Sequence, residues 1–205
     1  LDGAIDGANG FTKNGPGTVI LRRTNTYTGQ NILNEGMVWI NPASNDLGVL
    51  GATNPIQNTI VNDGASLVIN NDASNTAGDT TGGTSMNSEA ITIYGQGFRN
   101  LGALRSILGR ESNQFTGPIT LGSSSRVQSD LNTLTLTGPV ITNDNTLMMG
   151  GPGFTSITGP VSGSGDIIHY GISGFRMQNV TAAQTFSGAI YSQLGEIRAD
   201  VSDAT

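Results

Sequence analysis

Three Gly-Pro-aliphatic triplets recur at intervals of 21 residues in the second half of the chain. A fixed period near 20 is typical of a chain that coils by stacking one small unit on the next. An apolar residue and a hydroxyl residue precede each glycine, and this unit of apolar, hydroxyl and glycine also occurs outside the triplets. The triplets are Gly117-Pro118-Ile119, Gly138-Pro139-Val140 and Gly159-Pro160-Val161, and the further units are Tyr27-Thr28-Gly29, Ile93-Tyr94-Gly95 and Phe186-Ser187-Gly188.

The composition favours short strands over helices. Glycine occurs 30 times and charged residues are only 12% of the chain, while Asn, Ser and Thr fill much of the remainder. These residues are poor helix formers, and the last three compete for backbone hydrogen bonds. Short strands joined by tight turns suit this mixture. We therefore expect one continuous domain over residues 1–205 with about 8–9 coils of roughly 21–24 residues.

Alignment of the repeats on their glycines predicts what fills the interior of each coil. The apolar residue of every unit forms one column, in which like side chains stack over like in successive coils. Two further columns lie two and nine residues downstream. They comprise Ile119, Val140, Val161 and Ile190 in the first case, and Leu104, Leu147, Ile168 and Ile197 in the second.

The glycine of each unit is predicted to mark a corner of the coil. A coil of this length turns sharply, and glycine enters positive φ without strain. Proline suits a corner or the first residue of a strand better than the middle of a sheet. Pro118, Pro139 and Pro160 are therefore expected at corners.

Three stretches depart from the regular repeat. Residues 70–90 are rich in Asn, Asp, Ser, Thr and Gly, so we expect an exposed polar excursion there. The interval from Gly159 to Gly188 is 29 residues, which predicts a smaller loop at about residues 169–180. Apolar residues in 98–108 have helical spacing, but glycines interrupt them, which favours a strand.

The N-terminal region carries three motifs in a fixed order. The first runs from Gly10 to Leu21 and contains Lys13 and spaced glycines; Asn25-Thr26-Tyr27-Thr28-Gly29 and Gly36-Met37-Val38 follow it. Together they resemble the autotransporter-associated β-strand repeat. Elsewhere only the shortened box remains, as in Phe115-Thr116-Gly117 and Phe186-Ser187-Gly188.

The resemblance implies a right-handed parallel β-helix, or β-solenoid, that is exported to the bacterial cell surface within an adhesive or structural protein. It implies neither an enzyme nor a cofactor. The outer-membrane barrel that usually accompanies this repeat is not expected in Asp200–Thr205, which shows no alternating membrane strands. No apolar run approaches the ~20 residues that span a bilayer, so we expect no membrane insertion by this chain.

Parallel β-helices also include enzymes that act on polysaccharides, whose sites are clusters of carboxylates and basic residues on one face. Asp144 and Asp166 lie six and seven residues after their corner glycines and come closest to alignment. Such a pair could act as acid and base, or hold Ca²⁺. Both residues lie in sequences typical of turns, where Asp is common, and the turn interpretation is favoured.

The other candidate residues point to no catalytic or metal site. His169 is the only histidine, and beside Tyr170 it is expected on the outer face in a structural role. The chain has no cysteine, and Asp72 and Asp79 lack the spacing of calcium-binding β-rolls. Arg99, Arg105 and Arg110 are interpreted as a solvated face. The net charge of −6 excludes a general nucleic-acid-binding surface.

The regular repeat with no caps predicts an extracellular structural or adhesive protein whose solenoid associates end to end with itself or with neighbouring solenoid segments. Amide ladders of stacked asparagines would stiffen it. Surface glycans are possible partners through residues 70–90. The alternative is a carbohydrate-active β-helix enzyme that acts on a polysaccharide. We predict no catalytic, cofactor-binding or metal-binding residue.

Overall fold

The computed structural model describes residues 1, 3–23, 25–40, 50, 58–71, 85–86, 89–109, 113–178 and 185–200. These residues form an all-β structure with no α-helix, in which parallel strands make a 15-stranded and a 6-stranded sheet. A single 3-10 turn spans Phe98–Asn100. Among the described residues no helix is long and apolar enough to cross a membrane.

The strands are short, as the composition predicts. In chain order they are β1 (Thr12–Lys13), β2 (Thr18–Leu21), β3 (Ile32–Leu33), β4 (Gly36–Ile40), β5 (Asn58–Val61), β6 (Ala65–Asn71), β7 (Ser85–Met86), β8 (Ala90–Gly95), β9 (Leu104–Gly109), β10 (Asn113–Phe115), β11 (Ile119–Ser129), β12 (Thr133–Leu136), β13 (Val140–Ile141), β14 (Leu147–Gly150), β15 (Phe154–Ile157), β16 (Val161–Gly163), β17 (Ile167–His169), β18 (Gly174–Gln178), β19 (Thr185–Phe186), β20 (Ile190–Ser192) and β21 (Glu196–Asp200).

Successive strands pair in three rows, and all their pairings are parallel. The first row is β1, β3, β5, β8, the first part of β11, β13, β16 and β19. The second row is β2, β4, β6, β9, the last part of β11, β14, β17 and β20. The third row is β7, β10, β12, β15, β18 and β21. The chain visits the rows in turn, an arrangement consistent with a β-helix.

Strand pairing follows the 21-residue period at the Gly-Pro triplets. Ile119 pairs with Val140, and Val140 pairs with Val161. The apolar residues before the three triplet glycines form a column in the third row, where Phe115 pairs with Leu136, which in turn pairs with Ile157. Ile93 does not belong to this column, because it pairs with Val61 and Leu121 in the first row.

The other predicted columns do not hold. Ile190 pairs with Ile167 instead of following Val161, and Phe186 pairs with Gly163 in the first row. The column nine residues downstream is wrong, because its four members pair with different partners. Leu104 pairs with Leu67 and Val127, Leu147 with Ser125 and Ile167, Ile168 with Met148 and Tyr191, and Ile197 with Phe175. Because coils differ in turn length, residues at one fixed distance from the glycine of each unit do not stack on one another from coil to coil.

The interior is filled by apolar columns from all three rows. One such column in the first row consists of Leu33, Val61, Ile93 and Leu121, which are all fully buried. Its counterpart in the second row is Val38, Leu67, Leu104, Val127 and Met149. Leu134, Leu136, Ile157 and Phe175 close the core from the third row.

The triplet glycines lie at corners, but positive φ is not the reason for them. Gly117, Gly138 and Gly159 are absent from the described glycines with positive φ. A β-carbon on Gly138 would overlap the carbonyl oxygen of Gly117, and one on Gly159 would overlap that of Gly138. The prolines directly precede strands, and their carbonyls accept backbone hydrogen bonds from the preceding coil. For example, Ile119 N–H donates to Pro139 at 2.8 Å.

The structure differs in part from the three predicted departures from the repeat. Most of the predicted polar excursion at residues 70–90 lies outside the described residues, but β7 within it pairs with β10. Residues 174–178 of the predicted loop at 169–180 form β18, because Phe175 enters the core. The segment 98–108 contains a 3-10 turn and then β9, so the expected strand begins only at Leu104.

Candidate functional site

Asp144 and Asp166 are not brought into register. Pairing of Leu147 with Ile167 aligns Asp166 with Thr146, and the backbone of Ser164 donates to Asn143 beside Asp144. Asp166 Oδ1 accepts a hydrogen bond of 2.9 Å from the backbone of Ala189 in the next coil. The turn at Asp144 is closed by a hydrogen bond from the Asn145 N–H to the Thr142 carbonyl. Both residues therefore have turn roles, as their sequence context favours.

His169 faces the interior, so its expected place on the outer face is wrong. Its side chain is 1% exposed and follows Met149 in the second row. The imidazole stacks on the Phe175 ring with centroids 5.9 Å apart. Burial lowers the pKa of His169, because the charged imidazolium is poorly solvated there. A residue placed in this way serves packing and is out of reach of a polymeric substrate.

A second buried polar group lies in the N-terminal half. Glu89 is 3% exposed and accepts a hydrogen bond of 2.5 Å from the Thr59 hydroxyl. The amide of Asn31 donates to the Thr59 oxygen and to the Leu50 carbonyl, each at 3.1 Å. Nearby, burial raises the pKa of Tyr27 well above its ordinary value. This network satisfies polar groups inside the core.

Lys13 also has a structural place. The side chain is buried, and its ammonium group donates to the carbonyl oxygens of Asn14, Gly15 and Glu35 at 3.1, 2.5 and 3.1 Å. It thereby ties the turn after β1 to the turn after β3. Charge-assisted bonds of this kind are stronger than neutral ones.

An asparagine ladder joins the first three coils, as predicted in general form. The amide of Asn34 donates to Asn14 Oδ1 at 2.8 Å, and the amide of Asn62 donates to Asn34 Oδ1 at 2.7 Å. Each residue directly follows a strand of the first row, so strand pairing places the amides one above another. The ladder ends where Tyr94 takes the equivalent position.

The turns between the first and second rows form the first corner, which carries acidic residues. Among the described residues its charged side chains are four carboxylates and one arginine, namely Glu35, Asp63, Asp144, Asp166 and Arg99, of which all but Asp166 are exposed. The turns between the second and third rows form the second corner, which comprises residues 130–132, 151–153, 170–173 and 193–195. Arginines flank it. They are Arg105, Arg126, Arg176 and Arg198.

Aromatic rings cover glycines beside the second corner. A β-carbon on Gly150 would lie 2.7 Å from the Tyr170 ring, and one on Gly174 would overlap the Phe154 ring. Arg126 lies over Tyr170 at 4.5 Å from the ring centroid, and Arg176 lies over Phe154 at 5.9 Å. Burial raises the pKa of Tyr170 to about 12, and the Arg126 charge acts in the opposite direction. These contacts hold two guanidinium groups near the corner.

The remaining arginines of this corner form ion pairs. Arg105 forms a salt bridge with Asp130, whose other carboxylate oxygen accepts from Gln128. Arg198 binds Glu196 at 2.8 Å, and this hydrogen bond lowers the pKa of the exposed Glu196. Arg99 lies 5.2 Å from the ring centroid of Phe98, whereas Arg110 is outside the described residues. Arg99 lies in a turn between the first and second rows and Arg105 lies in β9, where it pairs with Asp130, so the two residues have different partners.

The second corner is not evident from the repeat, because alignment of the repeats on the triplet glycines leaves out the residues before the third-row strands. Counting back from those strands would have revealed its pattern. Within the described residues no group of three or more His, Cys, Asp or Glu side chains could hold a metal ion. Comparison with protein families, curated proteins and solved structures found no match to this chain.

Proposed function

We propose that this chain is an extracellular structural or adhesive β-solenoid of a bacterial surface protein, wound as a right-handed parallel β-helix, which associates end to end. The observation that carries the proposal is the continuous pairing of parallel strands in three rows. Each coil offers both neighbours the same backbone groups, so the rows can continue into another molecule by the same hydrogen bonds.

The last described coil supports end-to-end association. Ile190 continues the column of the buried Leu147 and Ile167, yet it is 38% exposed. Phe186 and Ile197 are only half-buried at the same end. A further coil stacked on β19, β20 and β21 would cover these side chains and bond the strand edges that face no other described strand.

Sedimentation velocity and electron microscopy of the purified chain over a range of concentrations test the proposal. We expect concentration-dependent, unbranched assemblies that Ile190→Glu suppresses, because a carboxylate would be buried between coils. Leu131→Glu is the matched control, since Leu131 is similarly exposed at a corner of a middle coil. A chain that stays monomeric at high concentration would refute end-to-end association.

A further inference from the structure

The first described residues extend the third row beyond the first complete coil. The Thr26 N–H donates to the Ile5 carbonyl at 2.9 Å, and the Thr28 N–H donates in the same way to Gly7. Neighbouring strands of the third row bond in this pattern, and Ile5 packs against the apolar core as their inward residues do. Residues 4–7 are here named the N-terminal segment. Among the described strands none pairs with its other side.

The opposite end of the third row is β21. Its inward residue Ile197 pairs with the buried Phe175 of β18 but is itself only half-buried. In the described part of the chain, β18 is the only strand that pairs with β21. Each end of the row therefore presents a strand edge and a half-buried isoleucine that faces the interior.

The repeated unit of apolar, hydroxyl and glycine predicts which residues of two stacked copies meet. Gly7 is aligned with Tyr27, the apolar residue of the first unit. The corresponding column of the later coils runs from Phe115 through Leu136, Ile157 and Met177 to Ala199. A second copy that continues this column places its Gly7 on Ala199. Its Ile5 then lies on Ile197, so that apolar side chains meet.

Charge selects the same register. Registers that keep Ile5 facing inward differ by two residues, because side chains alternate along a strand. They place the exposed Asp6 opposite Glu196, Arg198 or Asp200. Opposite charges meet only at Arg198, in the register that the repeat predicts, whereas the other two registers oppose like charges and are destabilising. Arg198 binds Glu196 but its side chain is 51% exposed, which leaves it accessible to a second carboxylate.

We propose that solenoids join head to tail, with the N-terminal segment of one copy paired in parallel with β21 of the next, Ile5 on Ile197 and Asp6 opposite Arg198. This arrangement rests on the end-to-end association proposed above and identifies the surface that covers the last described coil. Repetition of such a junction produces an open filament.

Strand direction favours this arrangement over a tail-to-tail pair. Every strand pairing of the described residues is parallel, and a second copy continues it only when both copies point the same way along the solenoid axis. A tail-to-tail pair reverses one copy, so its strands would run antiparallel. At most one of the three rows would then meet its own counterpart.

Sedimentation velocity of variants with one blocked end tests the direction. Ile5→Glu blocks the N-terminal segment and Ile197→Glu blocks β21, since each would bury a carboxylate at the junction. Each variant alone should associate at least about tenfold more weakly than the wild type. An equimolar mixture should form dimers and nothing larger, because one intact end of each kind remains. Circular dichroism should show the wild-type fold for both, and Leu131→Glu, at a corner of a middle coil, should assemble like the wild type.

Exchange of the two charges tests the register. Asp6→Arg and Arg198→Asp should each weaken association about fivefold, because each places like charges opposite one another. The double variant Asp6→Arg/Arg198→Asp should restore association. Asp144→Arg is the control, since Asp144 is an exposed carboxylate in a turn of a middle coil.

Three results would overturn the arrangement in distinguishable ways. Dimers of Ile5→Glu alone would show tail-to-tail contact, which refutes the head-to-tail junction but leaves end-to-end association intact. Failure of the double variant to restore association would refute the register. A wild-type chain that stays monomeric would refute end-to-end association itself, and the junction with it.

Discussion

At the residue scale, Gly138 and Gly159 are required by the closeness of neighbouring coils. A β-carbon at either position would overlap backbone of the preceding coil, which cannot move without breaking strand pairing. We expect Gly138→Ala to destabilise the fold by about 1–3 kcal/mol, as overpacking does. Urea unfolding monitored by circular dichroism would measure it. Gly17→Ala is the control, because open space surrounds that position, and it should change stability by no more than about 1 kcal/mol.

Burial of His169 makes the stability of the fold depend on pH. Burial lowers its pKa in the folded chain, so the folded state favours the neutral ring and the unfolded chain takes up a proton first. Stability is therefore full above the unfolded pKa of about 6.5 and falls as the pH drops below it. Chemical denaturation between about pH 7.5 and pH 5.5 should show this loss, and His169→Leu should reduce it. An unchanged slope in the variant would contradict this assignment.

At the element scale, the turns after β1, β3 and β5 are joined by the asparagine ladder. Asn34 takes part in both side-chain hydrogen bonds of the ladder, whereas Asn14 takes part in one. Exposed hydrogen bonds contribute about 0.5–1 kcal/mol each. Asn34→Ala should therefore lower the unfolding free energy about twice as much as Asn14→Ala. Equal effects would show that the ladder adds nothing beyond each side chain's own turn.

Strand pairing determines which turn residues lie side by side at the second corner. Its turns differ in length, yet the residues two positions before β12, β15, β18 and β21 stay aligned, because pairing of the third-row strands fixes their spacing. The side chains there belong to Leu131, Pro152, Ile172 and Leu194, which are apolar and exposed, and their alignment is not evident from any single turn. Stacking of the strands also explains the contacts of the Tyr170 ring with Gly150 and of the Phe154 ring with Gly174. In each case the ring reaches across to a glycine of a neighbouring coil.

At the scale of the whole molecule, coils contact mainly their neighbours, so stability is expected to vary along the chain. The last described coil has exposed strands and only one paired side, whereas β11 pairs with strands on both sides in two rows. Native-state hydrogen exchange should show faster exchange for amides in 190–192 than in 125–129. Equal protection in the monomer would indicate a single cooperative unit and refute a gradient.

The 21-residue recurrence, together with the strand-favouring composition, was sufficient to predict stacked short strands and, over the three triplets, the columns at Ile119 and Phe115. Those predictions depended only on local spacing, which strand pairing preserves wherever turn lengths are equal. The columns through Ile190 and Ile168 failed for the converse reason, because turns and the inserted strand β18 shift the register by amounts that spacing does not show.

The inward orientation of His169, the contact that requires Gly138, and the meeting of Arg126 with Tyr170 needed three-dimensional packing. Each depends on which residue of another coil lies alongside, and that is set by the sum of all intervening turns. Sequence periodicity thus predicts the strands and apolar residues that recur in each coil. The alignment of exposed apolar side chains from four different turns arises only when the coils are stacked.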